Sequence, residues 1–482
     1  MKLLSRTGLA GAVAVVSAVT VVAGTAFGGS SGSSAPGNGT SPAAAGTKGA
    51  SSAGDSLFPL SGNGGYDVSH YDLKLGYDPK SRSLDGRAVI TARTTQPLTR
   101  FNLDLEGLTV KSVKVNQAGA DFRRDGQELV ITPERPLNKG ERFRVDVTYE
   151  GIPKPLKQHG MPLGWIATDD GAFVGSQPNG AMTWFPVNDH PKDKASYDFT
   201  LTVPQGSTAV ANGTYGGQKT AHGRTTFRWK QREPMASYAA TVAVGRFKVQ
   251  KYTTPGGLEF YNAVDPREAK AWPAIKKLPS VLDWAGKLFG PYPFKSAGVI
   301  VPHSQAWGGF TALETQGRPL YPSSLSGDGL GLMVHESAHQ WFGDSVSLKN
   351  WKDIWLNEGF ATYAEWLYKE QHGGDSAQKS FDKSYSKPAN NAVWKVPVAS
   401  PQSADQLFMP PVYERGAMAL HKLRTTVGDD TFFRILRSWA SSHRGGNATT
   451  RQFISLAERL SHKDLGPLFR TWIHTQGKPS RP

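Results

Sequence analysis

Near residue 252 the spacing of apolar side chains changes from two to between three and four, and this change divides the chain into two structural regimes. From residue 66 to about residue 249 the apolar runs are short and alternating. Tyr71, Leu73 and Leu75 alternate with polar residues, as do Phe143, Val145 and Val147. A period of two puts every second side chain on one face of a half-buried strand. Asp85-Gly86 and Asn138-Lys139-Gly140 punctuate the runs as turns, and further strands fit 197–203, 225–229 and 239–244. This half reads as an antiparallel β-sandwich domain over residues 61–250.

The second half, 251–482, reads as mostly helical. A helix over 267–289 should stop at Gly290, ahead of Pro291 and Pro293. Two more helices fit 329–342 and 353–371, with Asp328 and Asp353 where N-caps belong and Gly343 and Gly373 where the helices should end. Segments 413–426, 429–443 and 450–461 are helical in pattern as well. With 482 residues the chain has room for two domains and an ordinary core.

Residues 1–60 belong to neither regime. Lys2 and Arg6 precede a charge-free apolar stretch over 9–27, and Gly24-Thr25-Ala26 supplies small residues at a cleavage position. Residues 1–26 therefore read as a secretory signal peptide, with a retained single membrane anchor as the alternative; cleavage implies an extracellular protein with no stable membrane insertion. Residues 27–60 are rich in Gly, Ser and Ala and read as a flexible linker. Gly28-x-Ser30-x-Gly32 mimics a nucleophile elbow, but no strand precedes it and no helix follows.

The chain contains no cysteine. That excludes disulfides, thiolate-held zinc, iron–sulfur clusters and cysteine nucleophiles, so any metal must be held by His, Asp and Glu. The formal charge of +15 is spread without a run of five Lys or Arg. This argues against nucleic acid as a partner and is compatible with anionic cell-wall polymers. A monomer is expected.

The chemistry-bearing stretch is His335-Glu336-Ser337-Ala338-His339. On a helix, residues four apart share a face, so both imidazoles can reach one ion while Glu336 reaches a water beside it. Catalytic zinc takes a third protein ligand and keeps one position open. The candidate is Glu358, nineteen residues after His339, in Asn357-Glu358-Gly359-Phe360-Ala361. Zinc acidifies its water and polarises a carbonyl, and Glu336 would serve as the general base for peptide hydrolysis.

These residues resemble the aminopeptidase N family of zinc metallopeptidases. The likeness is carried by His335-Glu336-x-x-His339-Gln-Trp-Phe-Gly-Asp344 and by Trp355-Leu-Asn-Glu358-Gly-Phe-Ala-Thr-Tyr363. Leu288-Phe-Gly-Pro-Tyr-Pro-Phe294 adds to it, as do Trp184-Phe185-Pro186, Asp189 and Lys194-Ala195-Ser196. The resemblance implies a thermolysin-like catalytic domain with one Zn²⁺ on His335, His339 and Glu358, Glu336 as base, and a site between the two halves. It implies that Tyr413 donates to the oxyanion, that Glu314 binds a peptide's free α-amine and that Gln177 lines the same subsite. Thr311 and Thr315 depart from the family's Gly and Asn around Glu314, with Gly308-Gly309 upstream. A helical cap over the site would be absent or reduced to 429–461.

The expected activity is that of a secreted zinc aminopeptidase acting on peptides. One alternative is an open-cleft zinc peptidase with endopeptidase or other hydrolase activity. The other is an inactive peptidase-like binding protein, against which the intact ligands, base and Tyr413 argue. Trp307, Phe310 and Trp341, close to the motifs, are expected in the core.

Overall fold

The computed structural model describes residues 46–158, 160–303, 312–321, 325 and 329–480. The signal segment, the linker as far as residue 45, and Trp307, Gly308, Gly309, Phe310, Thr311 and Asp328 lie outside the described residues.

The alternating runs build a β-rich half around one eight-stranded sheet. Its centre pairs Ala195–Pro204, Tyr66–Asp78, Ser83–Thr94 and Arg142–Gly151 in that order. All these pairings are antiparallel except that of Tyr66–Asp78 with Ala195–Pro204, which is parallel. Tyr71, Leu73, Leu75 and Tyr77 face inward from one strand, as their period of two requires. Two smaller sheets cover that face. Phe101 of the four-stranded sheet meets Tyr66 and Phe143 edge-on at 5.8 and 5.2 Å. Trp165 of the five-stranded sheet meets Tyr77 at 5.0 Å.

Residues 46–60, expected to be flexible linker, are part of the folded unit. Thr47–Lys48 pairs in parallel with Leu98–Asp104. Asp55 is buried, accepts from the Trp351 N–H at 2.8 Å and contacts His190 Nε2 at 3.2 Å, while Phe58 packs edge-on against Trp351. The small residues that suggested disorder are what let this strap lie close to other backbone. A Cβ on Gly49 would come within 2.6 Å of the Gly64 carbonyl oxygen.

The alternating pattern also runs past residue 252, into a three-stranded sheet of Lys248–Thr253, Glu259–Val264 and Ser296–Val301. The continuous helix expected over 267–289 is broken into a 3-10 turn at Pro266–Ala271, a single turn at Trp272–Ile275 and a helix at Leu278–Phe289. Pro273 and Pro279 lack the N–H that would bridge these pieces. Gly290, at φ 102°, ends the last helix as expected.

The main helices that follow are Leu330–His339, Trp355–Gln371, Ala377–Tyr385, Gly416–Val427, Asp429–Ser442 and Thr450–Ser461. Asp353 is not the N-cap of Trp355–Gln371. It sits in a preceding 3-10 turn and accepts from the Thr450 hydroxyl at 2.6 Å. Nor do residues 429–461 form a reduced cap. Phe453 packs on Trp355 and Phe360, with centroids 6.0 and 5.2 Å away, and Trp355 Nε1 donates to Thr450. These helices build the core behind Trp355–Gln371 and contribute no wall of the cleft in front of it. No helix among the described residues is long and apolar enough to cross a membrane.

Candidate metal centre and active site

His335 and His339 lie in the last turns of Leu330–His339, and Glu358 lies in the first turn of Trp355–Gln371. Phe342 and Phe360, with ring centroids 4.7 Å apart, lock the end of the first helix to the second. The carboxylate of Glu358 reaches both imidazoles. Its Oε2 is 3.3 Å from His335 Nε2 and 3.3 Å from His339 Nε2. Four-coordinate zinc with bonds of about 2.0–2.1 Å requires ligand atoms roughly 3.3 Å apart, so these two separations fit edges of a zinc tetrahedron.

The ring nitrogens turned away from Glu358 are also engaged. His335 Nδ1 meets Glu365 Oε1 at 2.9 Å and His339 Nδ1 meets the Phe342 carbonyl at 3.1 Å. Acceptors at both Nδ1 positions fix the proton there and leave each Nε2 lone pair for a metal. Glu365 lies seven residues after Glu358, two turns along the same helical face. That spacing was the available signal for it, and the sequence reading missed it.

The electrostatics describe a nest that wants a cation. Burial opposes ionisation of Glu358, but His339 and His335 draw its carboxyl down to about 2. Burial would lower His339, yet Glu358 and Glu314 hold it up at about 9. A bound cation would supply the positive charge that these carboxylates favour. The three donors fit zinc in type, number and spacing.

Glu336 is buried beside them, and its Oε2 has no hydrogen-bond partner among the described residues. Burial pushes its carboxyl up to about 8, against the pull of His335 and His339 and with the push of Glu314 and Glu358. An unpartnered carboxylate oxygen facing the ligand set is what a proton acceptor requires.

Glu314 joins the group from a separate loop. One oxygen each of Glu314 and Glu336 and a ring nitrogen of His339 lie within 4.8 Å of one another. Gln177, two residues past the end of the strand Ala172–Gly175, donates from Nε2 to Glu314 Oε1 at 2.6 Å. The Glu314 loop is held from behind. Gln340, next to His339, accepts from the Gly317 N–H at 2.7 Å, and Arg318 donates to the carbonyl oxygens of Tyr261 and Gly213 at 3.1 Å each. Thr315, at the family's Asn position, bonds the Arg318 carbonyl through its hydroxyl at 2.6 Å. Burial raises the Glu314 carboxyl above its ordinary value, with Glu358 adding to the effect. The loop therefore offers a desolvated acid with one oxygen already oriented.

Tyr413 belongs to a widened π-type turn, Pro411–Arg415, that leads into Gly416–Val427. Such turns aim side chains that regular helices cannot. The turn approaches Glu358 because two glycines let the helices touch: a Cβ on Gly359 would lie 3.0 Å from Gly416 Cα. Arg415 anchors the turn by donating to the Thr471 and Thr475 carbonyls at 2.9 and 2.6 Å. The Tyr413 ring stacks over His335 with centroids 6.2 Å apart. Desolvation and the nearby Glu358, Glu314 and Glu336 carboxylates raise its phenol well above the ordinary value, so it remains a donor.

A cleft of 710 Å³ opens in front of these groups. The β-rich half contributes Met161, Leu163 and Gln177, and the helical half contributes Phe408, Met409 and Tyr413. Trp341 is buried in the core, as expected, with Nε1 donating to the Gly290 carbonyl. All seven site residues singled out in the sequence border the one cleft.

Comparison with known proteins places two family matches on the chain. Residues 68–239 match the peptidase M1 N-terminal domain and residues 327–472 match the peptidase family M1 domain. Aminopeptidase A of Gloydius brevicauda is 25% identical over 451 residues, covering 85% of this chain and 46% of that protein. Leukotriene A-4 hydrolase of Xenopus laevis is 26% identical over 466 residues, covering 86% of this chain and 72% of its own. The chain spans about half the length of most curated relatives it matches. A solved M1 zinc metallopeptidase of Deinococcus radiodurans is similar over nearly its whole length. It is 30% identical with a TM-score of 0.79, covering 89% of this chain and 98% of that one. A mutant of that protein bound to a Tyr-Ser-Ala substrate is equally similar.

Proposed function

We propose that this chain, which belongs to peptidase family M1, is a zinc-dependent aminopeptidase that removes residues from the free N-termini of peptides. The observation that carries this reading is the distance from Glu314 to the hydrolytic group. A carboxylate oxygen of Glu314 lies within 4.8 Å of Glu336 and His339 donor atoms. Only the first peptide carbonyl of a substrate can reach the metal ligands while its α-ammonium pairs with an acid so close. The mutant of the solved relative bound to a Tyr-Ser-Ala substrate supports a short peptide as substrate.

One zinc ion on His335, His339 and Glu358 would polarise the peptide carbonyl and acidify water. The protein's own groups perform the rest. Glu314 and Gln177 bind and orient the ammonium, a charge-assisted contact in a desolvated pocket. Glu336 takes up a proton on its free Oε2 and returns it to the leaving amine. Tyr413 donates its phenolic hydrogen as negative charge develops on the carbonyl oxygen. We also propose export, on the strength of Lys2, Arg6 and the apolar stretch 9–27. N-terminal sequencing of protein recovered from medium tests it: a start near residue 27 supports export, and an intact Met1 in the cell fraction overturns it.

Mass spectrometry of a long peptide sampled during digestion tests the activity. A ladder shortened one residue at a time from the N-terminus is expected. Internal fragments at the earliest times would refute the exopeptidase reading.

A further inference from the structure

Lys194 stands in the Lys194-Ala195-Ser196 motif of the β-rich half, 145 residues before His339 in the chain, and among the described residues its hydrogen bonds go to no group proposed to meet substrate. Its Nζ crosses to the helical half and donates to the Asp344 carbonyl at 2.7 Å and the Ser345 carbonyl at 3.0 Å. We propose that Lys194 is a positioning residue through which the β-rich half holds the His339 ligand in place for zinc. The inference rests on the metal assignment above and extends it to a residue outside the ligand set.

The turn that Lys194 grips follows directly on the zinc-ligating helix, and it is the turn that orients His339. The Phe342 carbonyl accepts from His339 Nδ1 at 3.1 Å. The Asp344 N–H donates back to the His339 carbonyl at 2.9 Å, and the Ser345 N–H to the Gln340 carbonyl at 3.2 Å. No slack separates turn and ring. Gly343, at φ 141°, lies so close that a Cβ there would stand 3.3 Å from His339 Nδ1. A shift of the turn is therefore transmitted to the imidazole both through the backbone and through its Nδ1 acceptor.

The helical half supplies one donor to each of the two gripped carbonyls. Ser347 Oγ lies 2.7 Å from the Gly343 carbonyl and 3.1 Å from the Asp344 carbonyl, so its single hydrogen is shared between them, and the Gly445 N–H donates to the Ser345 carbonyl at 2.8 Å. Lys194 supplies the other donor to both, from across the interface. Another hydrogen bond from the β-rich half is longer, from the Tyr238 hydroxyl to the Gly343 carbonyl at 3.5 Å. Beside Tyr238, the Ser237 hydroxyl donates to Asp189 of the same motif region at 2.7 Å. The strongest cross-interface hold on the turn behind His339 thus comes from the lysine.

A residue that only clamped the two halves together would lower thermal stability and leave the affinity of the folded site unchanged. A positioning residue moves the zinc constant itself. Loss of an outer-shell partner to a metal ligand weakens metal binding by roughly 10–100-fold. Lys194 acts one bond further out, so about tenfold is expected for Lys194→Met. The test is competition for zinc between the full-length protein and a chromophoric chelator, well below the melting temperature, with a circular-dichroism melt in parallel. Lys194→Gln, with an amide donor on a shorter stem, should fall between Lys194→Met and wild type. It is also the variant to read if Lys194→Met does not fold. A lower melting temperature with a zinc constant within twofold of wild type, in whichever variant folds, overturns the proposal alone. A wild type that takes up no zinc overturns the metal assignment and the proposal together.

Discussion

Replacing Glu314 by alanine tests the amine anchor on which the proposed exopeptidase activity rests. The side chain is 3% exposed, and its Oε1 is already occupied by Gln177 at 2.6 Å. A substrate ammonium would therefore pair with a desolvated acid. A charge pair about 3 Å apart at an effective dielectric of about 20 is worth at most about 5 kcal/mol. Removing one member of a buried pair costs about 3–5 kcal/mol, since the other is left without compensation. The ammonium can recover some solvation in the space alanine vacates, so the lower end applies. About 3–4 kcal/mol corresponds to a loss of roughly 10²–10³-fold in kcat/KM at about 1.4 kcal/mol per factor of ten.

The assay compares amino-acid arylamides with their N-acetylated counterparts on wild type and Glu314→Ala. Wild type should prefer the free amine by a similar factor, and the variant should lose most of that preference. Zinc content must be measured alongside, because Glu314 also supports the charge on His339. If the metal is lost, Glu314→Gln keeps the side-chain volume and serves instead. Equal losses on free and acetylated substrates, with zinc retained, would refute the amine anchor.

Glu336→Gln should keep zinc, by metal analysis, and lose roughly 10²–10⁴-fold in kcat, the range for a general base; loss of the metal along with the rate would make Glu336 structural. Tyr413→Phe should lower kcat by roughly 10²–10³-fold as one oxyanion donor is removed, whereas a change confined to KM would assign it to substrate binding. Asp55→Ala leaves the buried Trp351 N–H without its 2.8 Å acceptor, at a cost of about 1–3 kcal/mol. A denaturant melt should show the loss with KM unchanged, and full stability would mean that the 46–60 strap contributes nothing.

What could be read from sequence was what depends on neighbours along the chain. His335 and His339 share a face because they are four apart on one helix, and Glu336 falls beside them for the same reason. Glu358 could be named by its spacing but not placed; only the packing of the two helices, with Phe342 against Phe360, brings its carboxylate to 3.3 Å from both rings. The strands around Tyr71 and Phe143 were legible because burying one face of a sheet imposes a period of two. Composition misled at residues 46–60, because small residues accompany disorder and also permit close backbone packing, and only the partner surface distinguishes the two.

By itself, then, the sequence determined the two structural regimes, the metal-ligand types and the residues that could carry the chemistry. Each of these follows from local periodicity or from side-chain chemistry. The tertiary structure alone decided that Gln177 meets Glu314, that Lys194 reaches the turn behind His339 and that helices 429–461 back the site rather than cover it. Those contacts join residues more than a hundred positions apart, or faces of different elements. They are set by how whole sheets and helices bury their apolar surfaces against one another, which no local pattern encodes.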